Sequence, residues 1–224
     1  MTTLTKIASV IQHTNVSPAT TRDDIARLCD EALEYRFNGV MVQPCWIGVC
    51  RQRLSGSDIR TCSAMAYPLG GALTRSKVAE MRDLVDEGAQ EVDFMANIGF
   101  LAGGEVAAYQ DEIAALVEAS GGIPLKIMLE LGAMPEPVWQ TAIERADKAG
   151  VTYVKNSSGW GLGGKASTDI VAFMKKHVFK AKVKASGGIR TAEDAWAILN
   201  AGADLLGTSA GPAIMEGKTG QGSY

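Results

Sequence analysis

The sequence predicts an α/β fold, a single (β/α)8 or TIM barrel, and three observations predict it. Short apolar segments alternate with amphipathic helical patterns along the chain, at a spacing of about 20 to 35 residues. Eight such units fit the 224 residues, and no linker or low-complexity stretch divides them. No GxGxxG motif follows the first strand, which disfavours a doubly wound sheet. Alternating strands and helices imply right-handed crossovers and parallel strands, so we expect a closed barrel.

The first half of the chain contains four predicted strands. They are IASVIQHT at 7–14, GVMVQP at 39–44, IRTCSAMAY at 59–67 and EVDFMAN at 91–97. Helical patterns such as TRDDIARLCDEALEYRF, SKVAEMRDLVDEG and VAAYQDEIAALVEAS have apolar residues every three or four positions, and several end in glycine. Each of these strands is therefore expected to lead into a helix.

The second half repeats the pattern. Its predicted strands are PLKIMLE at 124–130, VTYVKN at 151–156, AKVKAS at 181–186 and ADLLGTS at 203–209. After the seventh strand, Thr191 is a candidate N-cap, because acidic residues follow it in the next turn. Residues 1–224 are thus predicted to form one domain, with a flexible glycine-rich tail from about residue 216.

Composition narrows the class of partner. A hydrophobic fraction of 46% is enough for a full core, and the net charge of -3 without a long basic stretch argues against nucleic acid or an anionic membrane. No apolar run is long enough for a membrane span, and MTTLTKIASV lacks the regions of a signal peptide. We therefore expect a cytoplasmic protein that acts on a small molecule.

Two lysines end consecutive predicted strands, Lys155 in VTYVKN and Lys184 in AKVKAS. A free lysine has a pKa near 10.4, and lowering it to about 7.5 takes roughly 4 kcal/mol. A second ammonium about 5 Å away supplies about 3 kcal/mol at an effective dielectric near 20, and burial can add the rest. The pair therefore indicates an amine nucleophile that attacks a carbonyl, although either lysine alone would be read as a solvated strand end.

The sequence has too few candidate ligand residues to predict a metal site. The four cysteines form no CxxC motif, and the two histidines, His13 and His177, lie far apart in sequence. Aldol chemistry uses either a divalent metal or a lysine imine, so the lysine route remains. We expect no metal and no cofactor.

The other candidate residues also end predicted strands. Asp93 lies in an otherwise apolar strand and needs a cation, for which Lys184 is the expected partner, either as a structural ion pair or as a proton shuttle. Glu130 could support it. Glycine-rich turns after the last two strands favour a phosphate group, though either turn alone could be only a tight turn. Tyr224 ends a glycine-rich tail that could place a phenol over the site or be disordered.

Five motifs give the chain a family resemblance. They are IQHTNVSPATT, EVDFMANIGFLAGG, YVKNSSGWGLGGKAS, VKASGGIRTAEDA and AGADLLGTSAGPAI, followed by the glycine-rich end with its tyrosine. Over nearly its whole length the chain resembles the deoxyribose-phosphate aldolases, class I enzymes that join acetaldehyde and glyceraldehyde 3-phosphate into 2-deoxyribose 5-phosphate. The resemblance implies this reaction, and pairing into a homodimer is a further expectation.

The resemblance also assigns roles. Lys155 matches the Schiff-base lysine, Lys184 the lysine that lowers its pKa, Asp93 the proton-relaying acid and Tyr224 the terminal tyrosine. The candidate substrate-binding and phosphate-binding residues are Gln12, Asn156, Gly187, Gly188, Gly207 and Ser209.

Several residues depart from the usual family pattern near the expected mouth of the barrel. Gln12 stands where aspartate is usual, Met41 where cysteine is common, and KNSSGW, with Trp160, where KTSTGF is usual. AYPLG replaces GFPLG, and Ala210 replaces a second serine of the phosphate loop. Two alternatives therefore stay open: a related aldolase for an unphosphorylated or larger aldehyde or sugar, and a catalytically silent barrel that binds a phosphorylated metabolite.

Overall fold

The structure, a computed structural model, describes residues 3–160 and 163–221. Eight parallel strands follow one another around a closed barrel in chain order, and the last pairs with the first. The strands are β1 (Ile11–Asn15), β2 (Gly39–Val42), β3 (Arg60–Met65), β4 (Glu91–Met95), β5 (Leu125–Met128), β6 (Tyr153–Lys155), β7 (Lys182–Ser186) and β8 (Leu205–Thr208). The predicted (β/α)8 barrel is confirmed.

Helices connect the strands on the outside of the barrel. They are α1 (Thr3–Ala8), α2 (Arg22–Tyr35), α3 (Ile47–Arg53), α4 (Thr74–Asp86), α5 (Ile98–Ala102), α6 (Val106–Ala119), α7 (Glu136–Ala149), α8 (Thr168–His177), α9 (Ala192–Asn200) and α10 (Gly211–Met215). Short 3-10 turns lie at Pro44–Trp46 and Leu131–Ala133. Of the helices that the structure describes, none is both long and apolar enough to cross a lipid bilayer.

The start of the first predicted strand is wrong. Ile7 and Ala8 belong to helix α1, and Ser9 and Val10 form the turn that leads into β1. Both helical residues are buried in the main core, where α1 packs beside α9 and α10. One apolar run therefore serves two elements, and periodicity over so few residues does not separate them. The other predicted strands match the observed ones to within a few residues.

Local capping explains where several helices begin and end. Thr21 and Asp24 form a reciprocal capping box at the start of α2, and Thr191 and Asp194 do the same at α9, which confirms the predicted N-cap. Helix α7 ends at Gly150, whose φ of 101° lies in the left-handed region. These capping residues therefore fix where α2 and α9 begin and where α7 ends.

Alternation along the strands separates an apolar layer from a charged interior. In β4, Val92 and Phe94 belong to the hydrophobic core between barrel and helices, whereas Glu91 and Asp93 contact charged groups from other strands. Lys126 of β5 is paired in register with Asp93. Because successive strand side chains point to opposite faces, the charged residues share the inside of the barrel.

Candidate active site

The two predicted lysines lie side by side inside the barrel. Lys155 of β6 is the register partner of Lys184 of β7, so both side chains leave the sheet on the same face. The Nζ atom of Lys155 is 3.2 Å from Oδ2 of Asp93, and Nζ of Lys184 is 2.7 Å from the same oxygen. The structure therefore brings together the three residues predicted to carry the chemistry, and all three are buried.

Burial and positive neighbours weaken the hold of Lys184 on its proton. Burial is the largest cause that lowers the pKa of Lys184 to about 7, and the charges of Lys155 and Lys126 act in the same direction against the attraction of Asp93. The prediction from the sequence concerned Lys155, whose pKa Lys184 was expected to lower, and it stays a prediction. For Lys184 itself, burial lowers the pKa more than the neighbouring ammonium groups do.

Asp93 is held as a carboxylate. Burial alone would raise the pKa of Asp93, but the positive charges of Lys126, Lys184 and Lys155 keep this pKa well below its ordinary range. An ionised carboxylate accepts hydrogen bonds from both catalytic candidates and orients their nitrogens.

A second buried ion pair, between Lys126 and Glu91, was not predicted from the sequence. Nζ of Lys126 is 2.6 Å from Oε2 of Glu91 and 2.9 Å from Oδ1 of Asp93. Burial alone would raise the pKa of Glu91, but Lys126, with Arg60 and Gln12, lowers it to about 2. The spacing of two residues between Glu91 and Asp93, and a lysine inside the apolar run PLKIMLE, are the signals that could have revealed this pair.

Gln12 is placed deep in the barrel, at the level of these charges. Its side chain is buried, and its Oε1 atom accepts a hydrogen bond of 2.5 Å from Nζ of Lys184. Its Nε2 atom donates to Oε2 of Glu91 at 2.7 Å and to Oδ1 of Asn38 at 3.2 Å. The predicted substrate-binding residue thus contacts the catalytic lysine candidate directly.

Asn156 ties the ends of the two lysine-bearing strands together. Its Oδ1 atom accepts from the backbone N–H of Ser186 at 2.9 Å, and its Nδ2 atom donates to the carbonyl oxygen of Ser186 at 3.0 Å. The hydroxyl of Ser186 donates to the carbonyl oxygen of Ser157 at 2.9 Å. These reciprocal bonds fix β6 against β7 immediately after Lys155.

Glu130 holds the loop that follows β6. Its carboxylate accepts from the backbone N–H of Ser158 and, at 2.8 Å, from the backbone N–H of Gly163. A Cβ atom at Gly163 would lie 2.6 Å from Cβ of Ser157 and 2.8 Å from Cδ of Glu130, so the close approach needs glycine. The supporting role predicted for Glu130 has a concrete form here, which is to bind loop backbone.

Two of the predicted phosphate-binding glycines form a tight turn at the rim, and the third lies within strand β8. Gly187 and Gly188 have φ angles of 93° and 76°, in the region that favours glycine. A Cβ atom at Gly188 would lie 2.9 Å from Cδ of Lys165, which brings a basic side chain beside this turn. Gly207 packs closely on Lys184, since its Cβ would lie 3.3 Å from Cε of that lysine.

A cavity of about 320 Å³ lies at the β1 and β8 side of the rim. Its lining includes Ser209, Trp160, His13, Asp24, Arg27 and Glu31. Nε2 of His13 lies 2.7 Å from Oε2 of Glu31, and Arg27 contacts Asp24 at 2.5 Å, so each carboxylate at this wall has a nitrogen partner. Trp160, a departure noted in the sequence, is half exposed here.

Tyr224 lies outside the described residues, so its predicted role stays a prediction. The preceding segment packs on the rim: the backbone N–H of Gly220 donates to the carbonyl oxygen of Arg190 at 3.0 Å. A Cβ atom at Gly220 would lie 2.2 Å from Cβ of Ala210. A small residue at 210 therefore accommodates the chain that crosses it.

Among residues 3–160 and 163–221, no group of three histidine, cysteine or acidic side chains forms a candidate metal site.

Comparisons with known proteins agree with one another. The family model described as DeoC/LacD family aldolase matches residues 7–217. A deoxyribose-phosphate aldolase of Brevibacillus brevis is 40% identical over 95% of this chain and 96% of its own length. One of Streptococcus gordonii is 38% identical over 98% of this chain and 100% of its own length. The tetrameric deoxyribose phosphate aldolase of Aeropyrum pernix, at 27% identity, superposes with a TM-score of 0.89 over 95% of this chain and 91% of that one.

Proposed function

The chain belongs to the DeoC/LacD family of aldolases, and from this premise we propose that it cleaves 2-deoxy-D-ribose 5-phosphate reversibly to acetaldehyde and glyceraldehyde 3-phosphate. The geometry of the two buried lysines supports this reaction independently of the family. Lys155 and Lys184 share a single carboxylate oxygen inside the barrel, at 3.2 and 2.7 Å. This arrangement supplies a nucleophilic amine, a second amine that titrates near neutrality and a fixed counter-charge.

The reaction begins with attack of the Lys155 amine on C1 of the open-chain sugar. The resulting carbinolamine loses water and becomes an iminium ion. A proton leaves the C3 hydroxyl, the C2–C3 bond breaks, and its electron pair moves into the iminium to give an enamine and free glyceraldehyde 3-phosphate. Protonation of the enamine at C2 and addition of water then release acetaldehyde and restore the lysine.

Proton transfer in these steps falls to Lys184. A group with a pKa of about 7 is present in both protonation states at neutral pH, which suits general acid and base catalysis. Asp93 stays ionised and orients Lys184, and an ordered water can extend the relay to the substrate. Gly187, Gly188, Gly207 and Ser209 would hold the phosphate through backbone N–H groups and a hydroxyl.

Trapping the imine tests this proposal. Incubation with acetaldehyde and borohydride should add one ethyl group to Lys155, located by peptide mass mapping. Lys155→Ala should lose both the modification and the cleavage of 2-deoxyribose 5-phosphate, whereas Lys182→Ala, which changes an exposed lysine at the other end of β7, should retain both. Modification elsewhere with Lys155 untouched would refute the assignment. Turnover lost in Lys155→Ala would also exclude a catalytically silent barrel.

A second candidate is a related aldolase with an unphosphorylated or larger acceptor. The cavity beside Ser209 favours it, because Asp24 and Glu31 place two carboxylates there against one guanidinium, from Arg27. Carboxylates repel a phosphate group and accept hydrogen bonds from hydroxyl groups. Comparison of kcat/KM for 2-deoxyribose and its 5-phosphate separates the two candidates, since a phosphate specialist strongly prefers the phosphorylated sugar.

The proposal extends to the setting in which the enzyme works. We place it in the cytoplasm, where sugar phosphates are metabolised, and expect a homodimer. Apolar side chains on the outer surface, such as Phe179 with 91% exposure, offer area for pairing. Light scattering coupled to size exclusion measures the assembly, and a monomeric mass at working concentration would contradict the dimer.

A further inference from the structure

Gln12 reaches from β1 across the inside of the barrel and contacts three other groups. Its carbonyl oxygen accepts from Nζ of Lys184 at 2.5 Å. Its amide nitrogen donates to the carboxylate of Glu91 at 2.7 Å and to the side-chain oxygen of Asn38 at 3.2 Å. Both N–H donors and the acceptor are therefore engaged, in a side chain with no exposed surface.

The two ends of this amide face opposite charges. The carbonyl faces a lysine, and the N–H groups face the carboxylate of Glu91 and the side-chain oxygen of Asn38, so the reversed orientation would bring donor to donor and acceptor to acceptor. A carboxylate in this position would satisfy Lys184 but would repel Glu91, while an apolar side chain would satisfy neither. The amide separates Glu91 from Lys184 and gives each of them a neutral partner.

The neutrality matters because Lys184 is otherwise surrounded by ionisable groups. Those that act on its charge come from four strands: Cys62 of β3, Asp93 of β4, Lys126 of β5 and Lys155 of β6. Asp93 is the carboxylate in direct contact, and on β8 Gly207 covers the lysine chain without adding charge. A second carboxylate at hydrogen-bond distance would strongly favour the ammonium form.

We propose that Gln12 is a positioning residue that holds Lys184 through a neutral carbonyl and so leaves this lysine free to give up and regain its proton during turnover. The role rests on the proposed aldolase function, because turnover there requires a proton from Lys184. It does not require Gln12 to touch the substrate. Its effect on the reaction passes through Lys184.

Two substitutions at Gln12 have opposite expected effects. Gln12→Glu replaces the carbonyl with a carboxylate and should raise the pKa of Lys184 by about 1 to 3 units. Gln12→Met removes the acceptor, so the ammonium loses a hydrogen bond and the pKa of Lys184 should fall. Gln110→Glu makes the same chemical change on the outer helix α6, beside Arg145, and should leave the Lys184 titration unchanged.

The titration can be measured without any substrate. In protein labelled with ¹³C at lysine Cε, the chemical shift follows protonation of the adjacent nitrogen, and Lys184→Met identifies the signal of Lys184. The pH profile of kcat/KM for 2-deoxyribose 5-phosphate then shows whether the same shift governs turnover, with its Lys184-dependent limb moved to higher pH in Gln12→Glu and to lower pH in Gln12→Met.

The outcomes separate this proposal from the proposed function. An inactive wild type with opposite Lys184 shifts in the two variants would refute the aldolase assignment and support the electrostatic role of Gln12. If the new glutamate stays protonated beside Glu91, or if Gln12→Glu does not fold, the test rests on Gln12→Met, in which the pKa of Lys184 is expected to fall. Unchanged Lys184 midpoints in the folded variants, with an active wild type, would overturn the proposal for Gln12.

Discussion

Lys126 lies between two buried carboxylates, 2.6 Å from Glu91 and 2.9 Å from Asp93. Burial alone would lower the pKa of Lys126, but the negative charges of Asp93 and Glu91 keep it above its ordinary range. Lys126 is therefore held in its ammonium form at neutral pH more firmly than Lys184. The pKa values of these two buried lysines thus shift in opposite directions, because Lys126 contacts two carboxylates, whereas Lys184 contacts one carboxylate and a neutral amide and is repelled by Lys155 and Lys126.

Lys126→Met removes the cation that separates two negative charges. Breaking a buried ion pair by deleting one partner costs about 3 to 5 kcal/mol, because the other partner stays buried without compensation. We expect the free energy of unfolding in urea at neutral pH to fall by this amount. Lys176→Met, at an exposed position of α8, should change it by less than about 0.5 kcal/mol. A loss of similar size in both variants would contradict the role of Lys126.

The lowered pKa of Lys184 should appear in the pH dependence of stability. The pKa of Lys184 is about 7 in the folded protein, against 10.5 for an ordinary lysine. Between these pH values the unfolded chain therefore binds more protons than the folded one. Below pH 7 the buried Lys184 ammonium destabilises the folded protein in full. As the pH rises from about 7 to about 10 this destabilisation is relieved, so the free energy of unfolding increases. Urea unfolding across this range should show the rise for the wild type and lose it in Lys184→Met. Parallel curves for the two proteins would show that the pKa of Lys184 is not lowered.

The loop after β6 shows how an element is held in place by one side chain. Glu130 has a φ of 47°, and its carboxylate binds backbone N–H groups at both ends of the loop, at Ser158 and Gly163. The loop carries Trp160, which lines the rim cavity. The position of the loop is therefore set by Glu130, just after β5, and not only by β6, the strand that precedes the loop.

Glu130→Ala should loosen this loop. Two buried N–H groups lose their acceptor, and leaving buried donors unpaired costs about 1 to 3 kcal/mol. Because Lys155 and Asp93 stay in place, we expect KM for the sugar phosphate to rise more than kcat falls, with Glu130→Gln intermediate. Steady-state kinetics measures the split. Glu87→Ala, at the exposed end of α4, is the control, and a loss confined to kcat would contradict a positioning role.

Much of the architecture was predictable because apolar strands and amphipathic helices alternate with a clear period. Lys155, Lys184 and Asp93 were predictable because a charge inside or at the end of an apolar strand requires a partner. Helix α1 was missed because Ile7 and Ala8 continue without a break into the first strand. Lys126 and Glu91 show the same signal, a charge inside an apolar strand, but their mutual contact is set by strand register, which the sequence pattern does not specify. For the same reason, the sequence identified Gln12 as a departure but did not reveal its contact with Lys184.

Across the whole molecule, alternating charges run through the barrel from one end to the other. Arg60, at the start of β3, is half exposed and contacts the buried carboxylate of Glu91. Glu91 contacts Lys126, Lys126 contacts Asp93, and Asp93 contacts Lys155 near the mouth. The closed barrel makes this possible, because neighbouring strands supply charges of opposite sign to one interior. The Arg60–Glu91 pair at one end is therefore connected through ion pairs to the proposed catalytic residues at the other.

Arg60→Gln tests this connection from the end opposite the mouth. Glu91 has a pKa of about 2 against an ordinary 4.5, so its stabilising contribution is present above pH 4.5 and is lost as the pH falls towards 2. Without the guanidinium the pKa of Glu91 rises, and acid unfolding should begin at a higher pH. Arg60→Lys should keep part of the effect, and Arg82→Gln on the outside of α4 should keep the wild-type midpoint. The acid midpoint followed by circular dichroism measures this, and equal midpoints for Arg60→Gln and the wild type would show that Glu91 is stabilised without a contribution from Arg60.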